Sequence, residues 1–134
     1  MALTNDQLQN MLRNKIFNGK LSEYVKVNLK GRPYIYFNSN IIQFSCGDNM
    51  MHISGFCPAL KISDEEIAEA LMFCNECNCL GRFCSVYLND DSIVTASDFD
   101  LEDTTESYIC QRLELSIERI FDVLDKAFDK FFRP

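Results

Sequence analysis

Three closely spaced cysteines are the residues whose types and spacing most resemble a chemical site. Cys74, Cys77 and Cys79 form a Cys-x-x-Cys-x-Cys pattern, and Cys84 follows shortly after. A Cys-x-x-Cys pair is one half of a usual zinc site, and it can also act as a redox couple. This cluster, however, straddles the end of an amphipathic helix, whereas a thioredoxin-type pair begins one. We therefore expect buried or incidental thiols, with a small metal or redox protein as the alternative function.

The sequence gives weaker support for a histidine-based catalytic site, a calcium site or a phosphate-binding loop. His52 is the one histidine in the chain, and it alternates with Met51 and Ile53 in a predicted strand. A histidine base needs a nucleophile and an orienting acid, and the sequence places neither beside it. The acidic residues between positions 90 and 106 lack the spacing of an EF-hand, and no glycine-rich phosphate loop occurs. We expect a protein that is not an enzyme and that carries no cofactor or metal.

Charge and cysteine content limit the partners and the compartment. The 134 residues include 13 Lys and Arg against 20 Asp and Glu, which gives a net charge of −7. A surface of this sign repels nucleic acid and anionic membranes. No run of about 18 apolar residues could span a bilayer. Seven cysteines without a signal-type leader point to a reducing compartment, so we expect a cytoplasmic protein.

The first half of the chain reads as one helix followed by four strands. Thr4 and Gln7 fit a capping box that begins a helix, and Asn18-Gly19 ends it. Alternating or β-rich runs then predict strands at residues 24–29, 33–37, 41–46 and 50–56. The short turns between them favour an antiparallel meander, because parallel strands need a long crossover.

The second half reads as helix, hairpin and helix. Ser63 and Glu66 fit a second capping box, with Ile62 and Ile67 as its hydrophobic staple. The helix that follows should end near Asn78 or Leu80, with Gly81 as its terminator, and its predicted buried stripe is Ile67, Ala70, Leu71 and Cys74. Runs at 82–88 and 93–97 predict a hairpin, and residues 105–131 predict a long amphipathic helix. The order α-ββββ-α-ββ-α predicts one α+β domain over residues 1–134, with helices on one face of an antiparallel sheet.

This order, with particular residues, resembles the YbjN family of small bacterial proteins. The stretch that carries the resemblance contains Asn75 and Asn78 in an Asn-x-x-Asn pattern at the end of the middle helix. Gly81-Arg82-Phe83 and a hairpin with the acidic turn Asn89-Asp90-Asp91 follow it. The resemblance implies a fold similar to type III secretion chaperones, which are mostly dimeric and hold another polypeptide. We expect the amides of Asn75 and Asn78 to have a structural role, capping the helix end or tying it to the next strand.

Surplus apolar residues give the best indication of function. Tyr34 and Tyr36 share one face of a strand whose other face is also apolar, and Phe121 and Phe132 lie off the main stripe of the last helix. Alternatively, the sheet is covered on both faces within one chain. We expect a chaperone-like or regulatory protein-binding module that acts as a homodimer, with these four aromatic residues as contacts for the partner or the second copy.

Overall fold

The computed structural model describes residues 3–47, 49–80 and 84–132, without the side chain of Leu80. Helix α1 covers Asn5–Asn10 and begins with the predicted capping box, since Thr4 Oγ1 accepts from the Gln7 amide and Gln7 Oε1 from the Thr4 amide. A wider helical turn at Met11–Lys15 and a 3₁₀ turn at Ile16–Gly19 continue it. The backbone leaves right-handed helix geometry at Phe17 and Asn18, where φ is positive.

The strands form one antiparallel sheet. They are β1 (Val25–Val27), β2 (Pro33–Phe37), β3 (Asn40–Gly47), β4 (Met50–Phe56), β5 (Ser85–Asn89) and β6 (Ser92–Asp100). Their order across the sheet is β1-β2-β3-β4-β6-β5, and every neighbouring pair is antiparallel. The turn between β2 and β3 has positive φ at Asn38 and Ser39, and the turn between β5 and β6 has positive φ at Asp90. The sheet therefore matches the predicted meander plus hairpin.

The helices all pack on one face of this sheet, as predicted. Helix α2 (Ile67–Leu80) lies against β5, and helix α3 (Glu106–Phe131) crosses the centre of the sheet. Two groups of buried side chains line that face, one beneath α1 and α3 and one between α2 and the end of α3. Thr105 caps α3 at the predicted position. Among the described residues, no helix is both long and apolar enough to cross a membrane.

Some local predictions are wrong. Strand β1 is shorter than predicted, because residues 28–31 form a turn in which Leu29 is fully exposed. The hydroxyl of Ser63 donates to Glu66 Oε1 instead of accepting from a backbone amide, so the second capping box is not formed. On α2, Ala70 and Cys74 are buried as predicted, but Ile67 and Leu71 are exposed and Phe73 takes their place in the core.

A few expectations fall outside the described residues. They are the role of Gly81 as the end of the middle helix, the Gly81-Arg82-Phe83 part of the resemblance and Asp48 in the third turn.

Candidate protein-binding surfaces

The face of the sheet opposite the helices, called here the open face, carries the tyrosines singled out from the sequence. Strand register places Tyr36 opposite Ile41, Ile41 opposite Phe56, and Tyr34 opposite Gln43. Tyr36 on β2 is 47% exposed, and Tyr87 on β5, at the opposite edge of the same face, is 45% exposed. The solvent face of an antiparallel sheet is ordinarily polar, whereas this one carries partly exposed tyrosine rings. The open face is therefore a surface of the right kind for another polypeptide.

A shallow pocket of about 590 Å³ lies on this face. Tyr34, Tyr36 and His52 line part of it. His52 Nδ1 contacts the carboxylate of Asp98, directly across from it on β6, and both side chains are more than half exposed. Sequence reasoning missed this acid partner, because residues 46 positions apart are joined only by strand pairing. Within the described residues, no serine forms a hydrogen bond that would complete a triad with the pair.

One residue at each outer edge of the sheet has its outward backbone groups hydrogen-bonded within the chain. At the β5 edge, Asn78 Nδ2 donates to the Val86 carbonyl at 2.9 Å, and the Val86 amide donates to Asn78 Oδ1 at 2.7 Å. At the β1 edge, Arg13 Nη2 donates to the Val25 carbonyl at 2.9 Å, and the Val25 amide is bonded to the carbonyl of Ser22. These backbone groups are the ones an added strand would use. A strand added at either edge would therefore have to displace the bonds of Val25 or Val86.

The outer side of α2 is apolar as well. Ile67, Leu71 and Met72 are 38%, 49% and 62% exposed, and Ala68 lies between them in the exposed part of the helix. Asn75 and Asn78 are both exposed, and the side-chain amide of Asn78 hydrogen-bonds to Val86 on β5. Sequence patterns did not indicate this surface, because they predicted that Ile67 and Leu71 lie in the core.

The two aromatic residues proposed on α3 are engaged within the chain. Phe121 is half-buried, and its ring lies edge-on to Phe37 with 5.5 Å between centroids. Phe37 in turn contacts Tyr24. Phe132 stacks on Phe128 at 4.3 Å. Phe121 belongs to the helix-covered side of the sheet, so the structure separates it from Tyr34 and Tyr36 instead of joining them in one surface.

The cysteine cluster does not assemble into a metal site. Cys74 is buried, Cys77 half-buried and Cys79 exposed, and all seven cysteines are free thiols. Across the described ranges, no group of three or more His, Cys, Asp or Glu side chains is placed to hold a metal ion. Burial raises the pKa of both Cys74 and Cys77, and a nearby thiol or carboxylate adds to the shift. A raised pKa reduces the thiolate fraction that metal binding and disulfide exchange require.

Comparisons with known proteins place the chain among solved folds. No protein-family model matches it, and no curated protein does. The structure of YbjN from E. coli, described as a candidate transcription regulator, superposes with a TM-score of 0.74 at 13% sequence identity. The match covers 98% of this chain and 96% of that one. The resemblance seen in the sequence is thus confirmed at the level of architecture: the chain has a YbjN-like α+β fold.

Proposed function

We propose that this chain is a non-enzymatic protein-binding module, chaperone-like or a regulatory adaptor, that acts as a homodimer and holds a partner polypeptide. The open face is the observation that carries the proposal. Its tyrosines and aliphatic residues form a sheet surface that no second layer of described residues covers. Seven free thiols, several with pKa values raised by burial, support a reducing compartment such as the cytoplasm.

The size of the open face supports a second copy as its occupant. Six strands about 4.8 Å apart and roughly 20 Å long present about 600 Å² of flat area. A stable interface buries about 800 Å² of accessible surface per partner, and side-chain relief makes accessible surface larger than flat area. The open face is therefore large enough for two copies to pack sheet against sheet.

The charges on this face also permit self-association. Lys26 lies opposite Tyr34 on β1, and Asp98 lies on β6 in contact with His52. Both signs are present, so two copies related by a twofold axis can place unlike charges together. The carbonyls of Val25 on β1 and Val86 on β5 already accept hydrogen bonds within the chain. This favours the face-to-face mode over pairing of edge strands between copies.

The regulatory side of the proposal draws on the fold. The YbjN structure with this fold is described as that of a candidate transcription regulator, and fold likeness is an associational argument. The net charge of −7 disfavours direct contact with DNA. A regulatory role would therefore act through a protein partner.

Two differently tagged copies, expressed together at native level, test the proposal. Capture of one copy, followed by mass spectrometry, should recover the second copy and a stoichiometric polypeptide of another kind. Tyr36→Asp should abolish recovery of the second copy, because it would bury an unpaired charge in the sheet interface.

Leu29→Asp is the matched control, because Leu29 is fully exposed in a turn outside the strands. It should leave recovery of the second copy unchanged. A preparation that contains neither a second copy nor another polypeptide would rule the proposal out, and equal effects of the two substitutions would remove the open face from it.

A further inference from the structure

Helix α2 has apolar residues on its outer side as well as its inner side. Ala70, Phe73 and Cys74 face the core. The exposed residues Ile67, Ala68, Leu71 and Met72, called here the α2 strip, occupy positions i, i+1, i+4 and i+5 of the same helix. At 3.6 residues per turn these positions form one continuous band.

A helix of this kind does not ordinarily face solvent. Surface helices carry charged or polar residues opposite the core, whereas helices that are apolar all round are buried. Helix α3 follows the surface pattern, with Glu118, Asp122 and Lys126 outside its buried stripe. The contrast between the two helices indicates that the α2 strip is covered when the protein functions.

Charge identifies what covers it. Residues 62–80 contain five acidic side chains and no lysine or arginine. Glu69 and Glu76 border the α2 strip on the side of Met72, and Asp64 and Glu65 lie at the start of the helix. Two copies packed strip against strip would double this acidic set without supplying a basic residue, which opposes self-association in that mode. A partner with basic residues beside an apolar face complements both features.

We propose that the α2 strip is the docking site for a basic amphipathic helix, whose apolar face covers Leu71 and Met72 and whose lysines or arginines pair with Glu69 and Glu76. This names the chemistry of the partner polypeptide in the proposed function and rests on that function, but it uses a different surface from the homodimer. The mode is the packing of one amphipathic helix on an apolar surface, read through anchors at i, i+3, i+4 and i+7.

The probe is a fluorescein-labelled synthetic peptide of about 18 residues, roughly five helical turns, with leucines on one face and lysines beside them. Its counterpart has glutamate in place of every lysine. Fluorescence anisotropy should show saturable binding of the lysine peptide and none of the glutamate peptide. Leu71→Ser combined with Met72→Ser should weaken binding about tenfold or more, because two apolar side chains lose their buried contacts.

The contribution of Glu69 and Glu76 is tested with a separate pair of matched variants. Glu69→Gln with Glu76→Gln should weaken binding several-fold, whereas Glu102→Gln with Asp103→Asn removes equal charge from an exposed acidic stretch elsewhere and should leave the dissociation constant unchanged. Tyr36→Asp, on the open face, should also bind the lysine peptide normally. Because Tyr36→Asp breaks only the proposed dimer, loss of the dimer and loss of peptide binding are separate results.

Several outcomes would overturn the assignment. They are absence of saturable binding, equal binding of the glutamate peptide, or binding that ignores Leu71 and Met72. A homodimer that dissociates on Leu71→Ser with Met72→Ser would also overturn it, since a second copy would then occupy the strip. Circular dichroism of each variant separates loss of binding from loss of fold.

Discussion

At the scale of single residues, Gly55 fixes how closely the long helix approaches the sheet. It lies on the helix-covered side of β4, opposite Thr95 on β6 and Ile42 on β3. A Cβ built on Gly55 would overlap Ile120 Cγ2 and lie 3.3 Å from Leu124 Cδ1. The Ile120 methyl sits on a β-branched carbon with restricted rotation, so it cannot easily move aside. The contact between α3 and β4 thus depends on the absence of a side chain at this position.

Gly55→Ala should therefore destabilise the fold by about 1–3 kcal/mol, the usual cost of overpacking a core. Urea denaturation followed by circular dichroism measures the change. Gly47→Ala is the matched control, because a Cβ there meets nothing within 4 Å and the substitution only restricts the unfolded chain. Equal midpoints for wild type and Gly55→Ala would show that α3 is not pressed against β4 at this point.

Residue patterns predicted which side chains share a face but not which face is covered. Alternation correctly paired Tyr34 with Tyr36 on one side of β2 and Ile35 with Phe37 on the other. Both sets are apolar, so the pattern alone could not say which side the helices take. Phe121 lies off the regular stripe of α3, yet it is half-buried, because the ring of Phe37 on β2 packs against it. Such contacts depend on tertiary packing, which a periodic pattern does not encode.

At the scale of elements, the sequence specified helices and turns better than their orientation. Helix α3 was predicted to within one residue, because its long apolar stripe marks where it begins and ends. For α2 the existence of the helix was predicted, but of its four predicted core residues only Ala70 and Cys74 are buried. Apolar residues occur on its outer side as well as its inner side, so more than one stripe fits the same residues. The sequence likewise did not predict that β6 lies between β4 and β5, because β4 and β6 are far apart in the chain.

Asn78 joins two elements and at the same time occupies the edge of the sheet. Its amide donates to and accepts from the backbone of Val86, as a neighbouring strand would. Asn78→Ala should lower the free energy of unfolding by about 1–3 kcal/mol, because both backbone groups lose their partner. It should also produce higher oligomers, because an unpaired edge accepts strands from other molecules. Urea denaturation and light scattering measure the two effects.

Asn75→Ala is the control on the same helix, since Asn75 is exposed. Alanine favours helices more than asparagine does, so this variant should be as stable as wild type or slightly more so. If Asn78→Ala behaves like Asn75→Ala in both measurements, the hydrogen bonds to Val86 do not protect the edge.

At the scale of the whole molecule, the open face and the α2 strip differ in the charges around them. The open face carries both signs of charge, whereas the charged side chains of residues 62–80, which include the α2 strip, are all carboxylates. The chain as a whole has a net charge of −7, so two copies repel each other over a distance even if their contact faces match. A basic helix is attracted to the same net charge. The proposed dimer and the proposed complex with a basic helix should therefore respond to salt in opposite directions.

Raising the ionic strength from about 0.05 M to about 0.5 M shortens the Debye length from roughly 14 Å to roughly 4 Å. For two copies whose centres are about 30 Å apart, this removes most of the repulsion and should tighten the dimer about three- to tenfold. Binding of the lysine peptide to the α2 strip should weaken over the same range. Sedimentation equilibrium measures the first constant and fluorescence anisotropy the second, with Tyr36→Asp as the monomeric reference for both. A dimer that weakens with salt would mean that unlike charges, and not the apolar side chains of the open face, hold the copies together.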